Sequence, residues 1–97
     1  MPLLPSLTEE REFVEQVVDE HWLGLATNSR AVAGEAALAV AQELKRYADE
    51  QRFTLFGRMR LCGGVNMRLK FYGYPFLRRR TVTRSIRKYL NGLPFEF

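Results

Sequence analysis

Apolar residues recur at three- and four-residue spacing in the first half of the chain, and this pattern predicts two helices. The first is predicted over about residues 7–23, with a buried stripe of Val14, Val17, Val18, His21, Trp22 and Leu25. Ser6 and Glu9 have the spacing of a capping box at its start. The second helix is predicted over about residues 28–51, with a stripe of Ala33, Ala37, Val40, Leu44, Tyr47 and Ala48.

From residue 53 the apolar residues alternate with polar ones, which is typical of a β-strand. One alternating run includes Phe53, Leu55, Gly57, Met59 and Leu61, and a second includes Val65, Met67, Leu69 and Phe71. Cys62-Gly63-Gly64 lies between the runs and has the composition of a tight turn. The pattern therefore predicts a β-hairpin over about residues 53–73, with Arg58 opposite Arg68.

A third helix is predicted over about residues 79–91, and Asn91-Gly92 followed by Pro94 predicts its end. A short apolar tail, residues 93–97, follows it. The expected fold is one α+β domain over residues 1–97, in the order α-α-β-β-α, with the helices packed on one face of an antiparallel hairpin. Because an isolated hairpin is only marginally stable in water, a homodimer formed through strand pairing or through the alanine-rich second helix is also expected.

The composition agrees with one soluble domain. The chain has 97 residues, of which 46% are hydrophobic and 27% charged, as in ordinary globular proteins. Cys62 is the single cysteine, so no disulfide can form within the chain. The opening Met1–Pro5 lacks the basic end and apolar run of a secretion signal, and no apolar run could span a membrane. A cytoplasmic protein without membrane contact is expected.

Charge is distributed unevenly along the chain. Residues 1–52 contain ten acidic and five basic residues, whereas residues 53–97 contain ten basic residues and one acidic residue, Glu96. The formal net charge of the whole chain is +4. Such asymmetry indicates either a surface that binds a polyanion or pairing between the two halves of the chain.

The basic residues define the candidate site. On the polar face and open end of the hairpin the sequence places Arg58, Arg60, Arg68, Lys70, Tyr72 and Tyr74. At the start and along one side of the third helix it places Arg78, Arg79, Arg80, Arg84, Arg87 and Lys88. Guanidinium groups hold phosphates and aromatic rings stack on bases, so the leading hypothesis is non-enzymatic binding of DNA or RNA.

Two other functions remain open. If the acidic N-terminal helices cover the hairpin, the basic face is neutralised within the molecule. The protein would then be an interaction module that docks an acidic protein partner, such as an adaptor or inhibitor of the mobile-element or phage type. A module that binds a small ligand, in an apolar pocket between the first two helices near Trp22, is the third hypothesis.

No catalytic group, metal site or cofactor is predicted. His21 is the single histidine, and no cysteine lies at ligand spacing from it. Cys62 has no base beside it in the sequence and is interpreted as a turn residue. Gly63-Gly64 lacks the lysine and hydroxyl residue of a phosphate-binding loop, so it is also interpreted as part of the turn.

The element order with a basic ribbon resembles that of the bacterial nucleoid proteins HU and IHF. Those proteins have two N-terminal helices, a basic β-ribbon arm and a C-terminal helix, in an intertwined dimer that bends DNA. Leu55-Phe56-Gly57-Arg58-Met59 resembles the glycine–phenylalanine strand of that family. The arginine- and proline-containing arm motif is absent, so the resemblance implies a DNA-binding ribbon without assigning a role to any residue.

Overall fold

The computed structural model describes residues 6–97, and in this part of the chain every regular element is a helix. The elements are α1 (Leu7–Glu20), α2 (Trp22–Leu25), α3 (Arg30–Glu50), α4 (Leu55–Phe71) and α5 (Phe76–Leu90). The opening residues 1–5, in which the sequence analysis sought a secretion signal, lie outside the described residues. None of the described helices is both long enough and apolar enough to cross a membrane.

The α+β prediction is wrong, because the segment predicted as a hairpin is the single helix α4. Its buried residues are Gly57, Leu61, Cys62, Val65 and Leu69. A spacing of four positions is consistent with strand alternation and also returns to the same side of a helix, so the apolar pattern fitted both. The helix begins at Thr54, whose side chain accepts a hydrogen bond from the Gly57 backbone amide at 3.4 Å.

The predicted turn lies inside α4. Gly63 and Gly64 are both helical, although a glycine in a helix interior costs about 1 kcal/mol relative to alanine. Packing of the buried face against α1 and α5 overrides this local preference. Without a hairpin, Arg58 does not face Arg68 across a sheet. Because the ribbon is absent from the described residues, the resemblance to HU and IHF is not supported. The unpaired strand edges on which the expected dimer was partly based are absent there as well.

The first predicted helix is divided in two at His21. The capping box of α1 is confirmed, since the Glu9 amide donates to Ser6 Oγ at 3.1 Å. After the corner, α2 lies very close to α3, because a Cβ atom added at Gly24 would be 2.7 Å from the Cβ of Ala36. The small residues at this contact therefore allow α2 and α3 to approach within the same chain.

The C-terminal part begins and ends near its expected limits. α5 starts after Pro75, three residues earlier than predicted, and ends before Gly92, which has a positive φ of 81°. The tail returns along the domain, where Arg30 donates to the Phe97 carbonyl oxygen at 2.8 Å and Ser85 Oγ donates to the carbonyl oxygen of Glu96.

One core joins the elements. α4 packs between α1 and α5, and α3 packs against α5 and α2. The largest fully buried side chains at these contacts are Leu25, Leu44, Leu61, Leu69 and Ile86. Glu10 lies beside Arg60 and Asp19 lies beside Arg68, so α1 and α4 run in the same direction along their contact. An open groove remains between these two helices.

Candidate functional site

The arginines of α4 are bound to acidic residues from the first half of the chain. Arg60 donates two hydrogen bonds to Glu10, at 2.6 and 2.8 Å. Arg68 makes the equivalent two-bond contact with Asp19, at 2.9 and 2.8 Å. The charge asymmetry of the sequence is therefore resolved in part within the molecule, as the second reading of the sequence allowed.

Two further predicted site residues belong to the same network. Arg58 donates to Asp49 at 2.8 Å and to the Leu90 carbonyl oxygen at 3.2 Å. Tyr72 donates its hydroxyl hydrogen to Asp19 at 2.7 Å. These contacts connect α4 to α1, α3 and α5.

The ion pairs shift the proton affinities of their partners. The hydrogen bond from Arg68, reinforced by that from Tyr72, lowers the pKa of Asp19, and the same contact raises the pKa of Arg68. Hydrogen bonds from Lys45 and then Arg58 lower the pKa of Asp49. Contact with Glu10 raises the pKa of Arg60. Each shift favours the charged form, so these groups are held as ion pairs at neutral pH.

Around the start of α5 the predicted site residues donate hydrogen bonds to backbone carbonyl groups. Tyr74 is buried and donates its hydroxyl hydrogen to the Leu25 carbonyl oxygen at 2.7 Å. Arg78 lies over the Tyr74 ring and donates to the Thr27 carbonyl oxygen at 2.8 Å. Arg79 donates to the Tyr74 carbonyl oxygen, also at 2.8 Å. These side chains fix the junction between α4 and α5.

A smaller group of the predicted cations remains open to solvent. In residues 6–97, Lys70 on α4 and Arg80, Arg84 and Arg87 on α5 are exposed and make no side-chain hydrogen bond. Lys88 donates to Glu96 at 3.3 Å. Among the predicted site residues, the unpaired positive charge is therefore divided between the outer face of α5 and one position on α4.

α4 has a second apolar face, which was not predicted from the sequence. Phe56, Met59, Met67 and Phe71 are exposed by 72, 48, 64 and 72%, respectively. Met59, Met67 and Phe71 had been assigned to the buried side of the hairpin together with Leu61 and Leu69. In the helix the two groups lie on different faces. Leu61 and Leu69 are buried in the core, whereas Met59, Met67 and Phe71 are exposed. Reading residues 55–71 as a helix would have revealed both faces.

An open groove of about 950 Å³ lies between α1 and α4 beside this face. Its α1 wall includes Leu7, Arg11 and Val14, and its α4 wall includes Gly63, Met67, Lys70 and Phe71. The Arg60–Glu10 pair lies at one end, where Glu10 is only 4% exposed. At the other end the Arg68 guanidinium lies 4.5 Å from the centre of the Phe71 ring. The result is an apolar trough with charged ends.

The two glycines in the groove have different structural roles. A Cβ atom at Gly64 would lie 3.2 Å from Val14 Cγ1, so the absence of a side chain there lets α1 approach α4. A Cβ atom at Gly63 would have no atom of the chain within 4 Å, apart from its own neighbours and helix backbone. Packing within the described residues therefore accounts for Gly64 and leaves Gly63 unexplained.

The remaining chemical groups have structural explanations. Glu20, His21 and Glu43 lie close enough to offer ligands to one metal ion. His21 Nε2 is hydrogen-bonded to Glu43 Oε2 at 2.8 Å, which accounts for this pair as a contact between the corner that follows α1 and helix α3. Cys62 lies on the buried side of α4 and not in a turn, and burial raises the pKa of its thiol to about 11. Such a thiol is a poor nucleophile at neutral pH.

Aromatic packing occupies the place proposed for a small-ligand pocket. The Trp22 ring stacks on Tyr72 with 4.1 Å between ring centres, and it meets the edge of Tyr74 at 5.6 Å. These contacts hold α2 against the end of α4. The side of Trp22 that faces the domain is therefore filled by the chain's own rings.

Comparison of the chain with protein-family models, curated proteins and solved structures gave no match. A functional assignment must therefore be argued from the surface of residues 6–97. On that surface the groove combines an exposed apolar face, a concave shape and Lys70, a cation that has no carboxylate partner among the described residues.

Proposed function

We propose that this protein is a non-enzymatic interaction module that receives an amphipathic helix of a partner protein in the groove between α1 and α4. The observation that supports this most strongly is the second apolar face of α4. Exposed apolar residues scattered singly need no explanation, but a contiguous apolar surface beside a groove is typical of a binding site. Phe56, Met59, Met67 and Phe71 follow one side of α4 in this way.

The spacing along the groove fits a helical occupant. Gly63, Met67 and Phe71 are separated by four positions each, so they succeed one another at intervals of about 6 Å along the axis of α4. A helix laid in such a groove presents side chains at the same intervals, as in other helix-in-groove complexes. The methionine Met67 adds a flexible side chain that can adapt to an occupant's shape.

Charge argues for a partner protein and against a second copy of this helix. α4 has four basic residues and no acidic residue, and three of the basic residues are already paired with acids of this chain. Packing two α4 helices face to face would bring their Lys70 side chains into a low-dielectric interface without a counter-charge. An occupant with a carboxylate near Lys70 avoids that cost.

Nucleic-acid binding, the leading hypothesis from the sequence, stays a prediction and is not what the geometry favours. The ribbon on which it was based is absent from residues 6–97. Arg58, Arg60 and Arg68 are each engaged by a carboxylate. The exposed arginines of α5 lie outside the groove, and the exposed aromatic residue Phe76 is confined to the first turn of that helix.

A selection from a display library of helical peptides tests the proposed function. The selected peptides should have apolar residues at helical spacing and should bind the wild-type protein. Met67→Lys and Phe71→Lys should each weaken binding about ten-fold or more, because truncating or charging a central apolar contact costs about 1–3 kcal/mol. Affinities would be measured by fluorescence anisotropy.

Leu23→Lys on α2 is the matched control. Leu23 is also an exposed apolar residue, at 87%, but it does not line the groove. Its substitution should change affinity by less than about two-fold, and circular dichroism should show that all three variants are folded. Failure to select any binder, or binders indifferent to Met67→Lys and Phe71→Lys, would reject the proposed function.

A further inference from the structure

Gly63 is an exposed glycine in the interior of α4 that no contact within the described residues requires. Unlike Gly64, it has open space where a side chain would stand, and this space belongs to the groove. Gly63 lines the trough together with Met67, so a side chain at position 63 would take up space at the trough wall. The missing side chain therefore provides room in the groove and no packing advantage inside the molecule.

Lys70 lies two helical turns further along the same groove. The separation along the axis of α4 is about 10 Å, which is also the separation of positions i and i+7 in an occupying helix. Lys70 is exposed and makes no side-chain hydrogen bond with any of residues 6–97. The groove thus presents an open apolar recess and a free ammonium group at a fixed spacing.

We propose that the partner helix inserts a large aromatic or branched aliphatic side chain over Gly63 and places a carboxylate opposite Lys70, about two turns away. This inference rests on the proposed function and specifies the chemistry of the partner. The recess at Gly63 selects the size of the anchoring side chain, since any Cβ at position 63 would occupy its place. Lys70 selects the sign of the charge beside it.

Gly63→Ala separates this role from a structural one. Alanine favours the helix and meets open space, so the substitution should raise the thermal unfolding midpoint by about 4–8 °C. The same substitution should weaken the selected peptides about three-fold or more, and Gly63→Leu about ten-fold or more. A glycine without a role in recognition would give the stabilisation and leave the affinity unchanged.

A charge exchange tests Lys70. The probe is a labelled helical peptide from the selection, in a glutamate form and a lysine form at the position two turns from its anchor. Lys70→Glu should weaken the glutamate peptide at least five-fold and restore affinity for the lysine peptide. Arg84→Glu is the matched control, because Arg84 is an exposed cation on α5 that does not line the groove.

The outcomes distinguish this inference from the proposed function. Peptides that depend on Met67 but bind Gly63→Leu as tightly as wild type would overturn the role of Gly63 while leaving the groove as the binding site. If Lys70→Glu lowered the affinity of the glutamate and lysine peptides equally, the proposed selection of charge by Lys70 would be overturned. If no peptide depends on Met67 or Phe71, the proposed function fails and this inference fails with it.

Discussion

The two basic helices, α4 and α5, differ in the faces that they turn to solvent. Both lack acidic residues, and both bury an apolar stripe in the same core. The exposed side of α5 is charged, with Arg80, Arg84 and Arg87 in solvent, as expected for a helix that covers a core. The exposed side of α4 contains Met67 and Phe71. On α5 the exposed apolar residues, Phe76 and Leu77, lie only in the first turn, whereas those of α4 continue along the length of the helix.

The same helices differ in how their charges are held. Arg58, Arg60 and Arg68 of α4 are each fixed by a carboxylate of α1 or α3. On α5, Lys88 pairs with the tail residue Glu96. Arginine pairing therefore holds α4 in place at its edges, and its outer apolar face remains open. We interpret this arrangement as a supported helix that presents a binding surface.

The largest expected effect separates the two faces of α4. Leu69→Ala removes a fully buried side chain and should lower the free energy of unfolding by about 2–5 kcal/mol. Met67→Ala, two residues away on the exposed face, should change it by less than about 0.5 kcal/mol. Urea unfolding followed by circular dichroism measures both. Similar losses of unfolding free energy in the two variants would show that Met67 is packed in solution and would contradict an exposed apolar face on α4.

An intermediate effect is expected at the buried end of the groove. Glu10 is nearly inaccessible and accepts both hydrogen bonds of Arg60, so Glu10→Gln leaves a buried amide beside a guanidinium that has lost its counter-charge. Because Arg60 itself is partly open to water, the expected loss is about 1–2 kcal/mol of unfolding free energy.

Arg84→Ala on α5 is the comparison for Glu10→Gln. Arg84 is exposed and makes no side-chain hydrogen bond in the described part of the chain, so its loss should cost less than about 0.5 kcal/mol. Chemical unfolding of the two variants under the same conditions compares them. Equal stability of Glu10→Gln and Arg84→Ala would show that the pairing of α4 with α1 does not support the helix.

The sequence identified the helices that have local start signals and failed where two periods coincide. The capping box at Ser6 and Glu9 was readable because both partners lie within one turn. The buried residues Gly57, Leu61, Val65 and Leu69 follow one another at four-residue spacing, which fits both a strand and a helix. Gly63-Gly64 then favoured a turn in the prediction. The packing of Val14 against Gly64, which explains that glycine within a helix, is a tertiary contact that the local sequence does not reveal.

The groove depends on long-range information that no local pattern contains. Arg60 and Glu10 are fifty residues apart, and their pairing decides that the Arg60 charge is not free. The exposure of Met67 likewise depends on which side of α4 the other helices cover. The two blocks of opposite charge, and the hypothesis that one covers the other, could be derived from the sequence. Which helix faces contact each other could not.

The smallest expected effect concerns the pH dependence of the α4 contacts. The pKa of Asp19 is lowered in the folded protein from its ordinary value of 3.8, chiefly by the hydrogen bond from Arg68. A carboxyl group with a lowered folded-state pKa stabilises the fold above about pH 4. That contribution is lost as the pH falls through the folded-state value. Because Asp19 is partly exposed, solvent screening limits it to about 0–1 kcal/mol.

Asp19→Asn tests this contribution, and the Lys88–Glu96 pair of α5 provides the comparison. The variant should be less stable than wild type at pH 7, and the difference should shrink as the pH falls below about 4 and wild-type Asp19 becomes protonated. Glu96→Gln, which removes the exposed partner of Lys88, should show a smaller difference at pH 7 because both of its side chains are well solvated. Urea unfolding at each pH measures these differences. A constant gap between wild type and Asp19→Asn across this range would show that the Asp19 carboxylate does not stabilise the attachment of α4.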